Sequence, residues 1–280
     1  MNSTIASIDD FDRSLRSEYA RFAGDLPGQP ESLVQRRFAQ YGVFPELGWA
    51  LIGVGEAQAL ATNDAAILYG TLARFVKCAH GCWGTADEQG FHPGGYDYCS
   101  LVVPSLYSAL LGKSYIASEF CCGRPASVTG HAAYRHAANL MVCLECMTWT
   151  HREKTSARAR SFASSKSKSK VDIAFVGFFL GIVTGDRARI AEALATFAAG
   201  YLQSDWGRHK PLTKSTFVQA MIAYARLYLT DPVDERTHRS LVSSDRIELW
   251  QQFDRRRAEF ERSPHRFDGT LSFLNDLETR

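Results

Sequence analysis

The chain has 280 residues, enough to bury a sizeable core without disulfide or metal staples. Its hydrophobic fraction of 45% and charged fraction of 22% are ordinary for a globular protein. With 32 basic and 30 acidic residues the formal net charge is +2, so the chain as a whole predicts no polyanionic partner and is not expected to bind nucleic acid.

The first ten residues lack a basic region followed by an apolar run, so no signal peptide is visible. The longest apolar stretch, 171–183, is interrupted by Asp172 and by glycines and is too short to span a bilayer, so no membrane partner is expected. Seven cysteines, an odd count, fit a reducing compartment where thiols pack as small apolar groups. The expected location is the cytoplasm.

Helix signals dominate from the start. Asp9 and Asp10 precede Phe11, Leu15, Tyr19 and Phe22, one apolar stripe on an N-capped helix. Pro27, Gly28 and Pro30 break it. Residues 31–41 carry Leu33, Val34, Phe38 and Tyr41 at helical spacing. A third helix is expected over 46–61. Asn63-Asp64 then makes a turn from which Asp64 caps a fourth helix through about Ala79.

From Gly81 to about 97 the pattern stops, and glycines with Pro93 predict a long loop. Residues 98–103 are the only plausible strand. Short helices are expected at 104–111 and 115–122, then a long one from Gly130 to about Arg152. Residues 161–170 alternate Ser and Lys toward their end and read as a flexible, solvated linker, with a nucleic-acid-binding arm as the sharper alternative. Helices resume at 172–184, 186–202, 215–230, 232–242, 245–262 and 270–277. Pro232 falls where a first-turn proline is favoured. The helix over 245–262 is amphipathic and carries the cluster Arg255, Arg256 and Arg257.

The fold class that follows is all-α: two halves of antiparallel helical hairpins, 1–160 and 171–280, joined through 161–170 and packed as one irregular helical array. A faint internal repeat supports two halves. Thr62, Asp64, Ala66, Leu72, Ala73 and Phe75 align without a gap on Thr184, Asp186, Ala188, Leu194, Ala195 and Phe197. Asn63 or Gly185 suits the left-handed turn, and the Asp that follows accepts from free amides of the next helix.

No signature of a known chemistry is complete. Cys78, His80, Cys82, His92 and Cys99 offer soft ligands, but their spacing matches no common zinc motif. Cys143 and Cys146 have redox spacing, yet lie deep in a helix whose Leu140, Leu144 and Met147 read as core. His131 and His136 are five apart and share no helix face. Gly53-Val54-Gly55 starts like a dinucleotide fingerprint, but Gln58 stands where the third glycine belongs. No catalytic residue, metal or cofactor is therefore expected. Two segments rich in interface-type residues remain: Trp83, Asp87, Glu88, Tyr96 and Asp97 in the first loop, and Asp205, Trp206 and Arg208 after the second hairpin.

The segment 174–194, an apolar helix followed by Thr184-Gly185-Asp186 and a second helix, resembles the helix–Gly-Asp–helix element of predicted all-helical immunity proteins. These accompany bacterial polymorphic toxins, and the nearest likeness is to immunity family forty-nine. Residues 217–229, with Ala220, Ala223 and Ala225, are similar to the small-residue helix that follows it there. The resemblance implies a non-enzymatic inhibitor that docks on a cognate toxin domain and blocks its active site. Two other readings stay open from the residues: a metal-dependent helical enzyme using Cys78, His80, Cys82 and His92, and a helical adaptor or nucleic-acid-associated protein using Lys166, Lys168, Lys170 and Arg255–Arg257.

Overall fold

The structure, a computed structural model, describes residues 6–40, 44–84, 102–112, 132–145, 149–209, 214–241 and 244–276. It is all-helical, with no strand among the described residues. The expected strand at 98–103 is corrected where it can be seen. Val102 and Val103 open a helix, because both are buried together with every other residue of that element.

The chain groups into two compact units, residues 1–96 with 249–280, and residues 97–248. In the first, α1 (Ile8–Gly24) is capped by Ser7, whose hydroxyl accepts from the Asp10 amide at 3.1 Å. Asp9 and Asp10, expected as caps, lie within the first turn, where their charge suits the helix's positive end. The stripe holds: Phe11, Leu15 and Tyr19 are buried. Tyr19 meets Phe38 of α2 (Glu31–Gln40) edge-on at 5.1 Å.

The pair α3 (Phe44–Thr62) and α4 (Ala65–Gly84) forms the centre of this unit. α4 runs through the first four residues of the expected loop. Most of 66–79 is core or half-core, and nothing in 80–84 breaks the hydrogen-bond ladder. Arg74 of α4 clasps Asp12 of α1 through two contacts of 3.0 Å in a mostly buried setting. The chain's last 32 residues return to this unit. Trp250, Phe253 and Phe260 of α13 (Ser244–Arg262) are buried there, and Tyr69 stacks on Phe260 at 4.7 Å. The buried Lys77 ammonium donates to Asn275 at 3.1 Å, and Asn275 also pairs with both backbone groups of Phe267.

The second unit is built around α8 (Lys170–Thr184), apolar on nearly every side and therefore enclosed. It packs on α6 (Ala132–Glu145), α7 (Trp149–Ala163) and α9 (Arg187–Gly200). Phe175 sits amid Phe179, Phe197 and Phe217 at 5.2, 5.7 and 6.0 Å. Phe217 belongs to α11 (Lys214–Arg226), which packs on α5 (Val102–Leu110). The long helix expected over 130–152 is two helices, α6 and α7, packed on each other. In the sequence Leu140, Leu144 and Met147 keep helical spacing up to the break, so periodicity gives no sign of it.

The segment 161–170, expected to join two halves, lies within the second unit. Its first three residues finish α7, its last opens α8, and 164–169 form the turn between them. The turn is capped by Ser169, which accepts from the Val171 amide at 3.2 Å. Pro232 is not at a helix start. α11 stops at Arg226, and α12 (Glu235–Leu241) is capped by Asp234, which accepts from the Thr237 amide at 2.7 Å.

The two aligned blocks form turns of one design. Thr62 and Thr184 each donate back to the carbonyl four residues earlier, at 2.9 and 2.8 Å. Asn63 and Gly185 take positive φ, 51° and 70°. The amides of Asp64 and Asp186 donate to Ala59 and Gly181, at 3.0 and 2.8 Å. Both carboxylates then cap the next helix, Asp64 on Ala66 and Asp186 on Arg189. Beyond the aligned blocks the pairs differ: α4 continues nine residues past Phe75, whereas α9 ends at Gly200.

Candidate partner-binding surface

α9 ends in a single 3-10 turn, Tyr201–Gln203, followed by the short α10 (Asp205–His209). Tyr201 anchors the turn: its ring is buried 5.5 Å from Phe197. Ser204 joins the two pieces. Its hydroxyl donates to Tyr201 O at 2.6 Å and accepts from the Gly207 amide at 3.4 Å, while the Arg208 amide donates to Ser204 O at 3.0 Å. Gly207 is required here, since a Cβ would lie 2.1 Å from Tyr201 O.

This backbone is tied down, yet the side chains of Leu202, Asp205 and Arg208 face solvent. Leu202 is 48% exposed, and Leu227 is the one other large apolar residue exposed among the described residues. The side chains of Asp205 and Arg208 are 90% and 67% exposed and 3.6 Å apart. An exposed pair of this kind adds little stability. The segment therefore offers an apolar contact and two opposite charges on a fixed backbone, at low reorganisation cost for a partner.

Of the other predicted residues, Trp83 and Trp206 are placed only as helical positions, and nothing is described of their side chains. Asp87, Glu88, Tyr96 and Asp97 lie outside the described residues, as do His92, Cys99, His131 and Cys146. The structure thus brings Asp205 and Arg208 together and leaves the first loop untested. Leu202, which the sequence reading passed over, belongs beside them. Its place just past the core stripe Ile190, Ala193, Leu194, Phe197 and Ala198 makes it read as one more core residue, so the sequence carries no signal of its exposure.

The chemistry-bearing candidates read as structure where they are described. Cys78 is buried in α4. Cys143 is 4% exposed, and burial pushes its thiol up, against smaller opposing effects of Thr155 and Arg152. It stays protonated at neutral pH, the reverse of an activated thiol. A cavity of about 420 Å3 adjoins it, lined also by Arg152, Thr184 and Tyr228. Its polar groups serve the fold. Arg152 donates to Val183 O at the end of α8, and the hydroxyls of Tyr228 and Tyr224 both reach Glu145. No group of three or more His, Cys, Asp or Glu converges on a metal-sized site among the described residues. No helix there is long and apolar enough to cross a membrane.

The chain matches no protein-family model, no curated protein and no solved structure.

Proposed function

We propose that the chain is a binding protein of the immunity type, which docks on a cognate bacterial toxin domain and blocks that domain's active site. The observation that carries this reading is the 201–209 segment, a tightly bonded turn presenting Leu202, Asp205 and Arg208 outward. A fixed backbone with an exposed apolar residue and flanking charges is what an inhibitor needs to bind without ordering a loop first. The likeness of 174–194 to immunity proteins supplies the partner class, and Asp186 with Gly185 forms the turn that this likeness rests on.

The test is co-expression with toxin domains encoded beside its gene. Rescue of growth, and a stoichiometric complex by calorimetry, are expected for one of them. Leu202→Glu with Arg208→Glu should weaken that complex at least about tenfold while leaving the melting temperature unchanged, as expected of interface anchors. Absence of rescue and of binding for every such neighbour would remove the immunity reading.

A further inference from the structure

A near-neutral total conceals one strongly polarised stretch. Between Trp149 and Lys170 stand Arg152, Lys154, Arg158, Arg160, Lys166, Lys168 and Lys170, against a single acid, Glu153. Arg152 is used inside the fold, on Val183 O. The other six cations are all exposed, and none forms an ion pair or hydrogen bond with a described residue.

Their placement is ordered. α7 buries Ser156, Ala159 and Phe162, so the opposite side of the helix faces solvent. Lys154 and Arg158 sit one turn apart on that side, with Ser161 continuing their line, while Arg160 flanks it. The turn 164–169 then adds Lys166 and Lys168, and Lys170 begins α8. From Lys154 to the end of α7 the helix alone covers about 14 Å at 1.5 Å per residue. The strip ends where Lys170 enters a groove of about 450 Å3 shared with Asp186, Arg189 and Glu192, whose charges are mixed.

The Arg255–Arg257 cluster makes the contrast. Arg256 pairs with Glu259 and Asp64, Arg257 with Asp254, and Arg255 donates to its own helix. Two of those three charges have carboxylate partners, whereas none of the six in the α7 strip does among the described residues.

We infer that α7 and the α7–α8 turn form a docking surface for the phosphate backbone of a nucleic-acid duplex, read without regard to sequence. Lysine, arginine and serine side chains are the usual ligands of backbone phosphates. From Lys154 to Lys170 no large apolar residue is exposed among the described residues, which disfavours insertion into a membrane surface, where apolar side chains must enter the lipid. From Lys154 to Lys170 no aromatic ring is exposed among the described residues, which likewise disfavours stacking on single-stranded bases. This surface is independent of the toxin-binding proposal and uses none of its residues.

The probe is a fluorescent 20-base-pair DNA duplex of arbitrary sequence, titrated with the full chain at 50 and 200 mM KCl (an experimental choice within the range over which such binding weakens). With about six phosphates neutralised, affinity should fall on the order of a thousandfold between the two salts. Lys154→Ser, Arg158→Ser, Lys166→Ser, Lys168→Ser and Lys170→Ser in one chain should lose binding at least about tenfold at 50 mM, with circular dichroism unchanged. Arg36→Ser with Arg37→Ser, exposed cations of the other unit, should leave binding intact. The inference is overturned if no duplex binds at 50 mM, if binding ignores salt, or if the two variants lose affinity equally. Binding to phosphatidylserine vesicles with none to the duplex would reassign the surface to a membrane and also overturn it.

Discussion

His136 shows how a single residue reports its surroundings. It lies half-buried on α6 with its ring 4.8 Å from Phe162. Burial holds its pKa below the ordinary 6.5, and the nearby charges of Arg135 and Arg158 push the same way. A depressed folded value means that the unfolded chain takes the proton first as pH falls. Stability from this group is therefore present above the ordinary value and is lost as pH drops through the folded one. An imidazole titration followed by NMR should place His136 below ~6.5, and Arg158→Ser should move it upward. An unchanged titration in that variant would show that the cation does not reach the ring.

Among elements, the two Thr–Asn/Gly–Asp turns are the most readable from sequence. Each role is local: a hydroxyl bonded back to its own helix, a residue with positive φ, and a carboxylate on the next helix's amides. Asp186→Ala should cost about 1 kcal/mol in denaturant unfolding, the usual loss for an N-cap. A cost near zero would mean that water accepts from the freed Arg189 amide. Local chemistry also explains the misses. Asp234 outranks Pro232 as a helix start because its carboxylate reaches the Thr237 amide and hydroxyl, at 2.7 and 3.1 Å. The split of the helix expected over 130–152 had no such local marker. It answers to the packing of α6 and α7 on each other and on α8.

At the scale of the whole molecule, the grouping of 249–280 with the first unit ties the two ends of the chain. Arg16 of α1 donates to Asp268, and Phe253, Phe260, Phe267, Leu271 and Leu274 are buried. Deleting 249–280 should expose the α1 and α4 faces that these residues cover, and hydrogen exchange should rise across 8–24 and 65–79. Unchanged protection there would show that the first four helices fold without the returning segment.

The candidate surfaces were only partly legible. Asp205 and Arg208 stand out in the sequence by residue type and by their place after the second hairpin, and in the structure they are exposed and 3.6 Å apart. Leu202 was missed because an apolar residue following a helical stripe reads as one more core position. The cations of α7 were missed for a different reason. With the preceding helix taken to end near Arg152, Lys154, Arg158 and Arg160 belonged to no element and so to no face.

The sequence by itself determined the all-helical class, most helix positions and the chemistry of the two capped turns. These depend on apolar spacing at 3.6 residues and on bonds within a few residues. Only the tertiary structure decided which segments group together, where α6 gives way to α7, and which charges are neutralised. Those outcomes depend on contacts between residues far apart in the chain, such as Arg256 with Asp64, and local spacing carries no record of them.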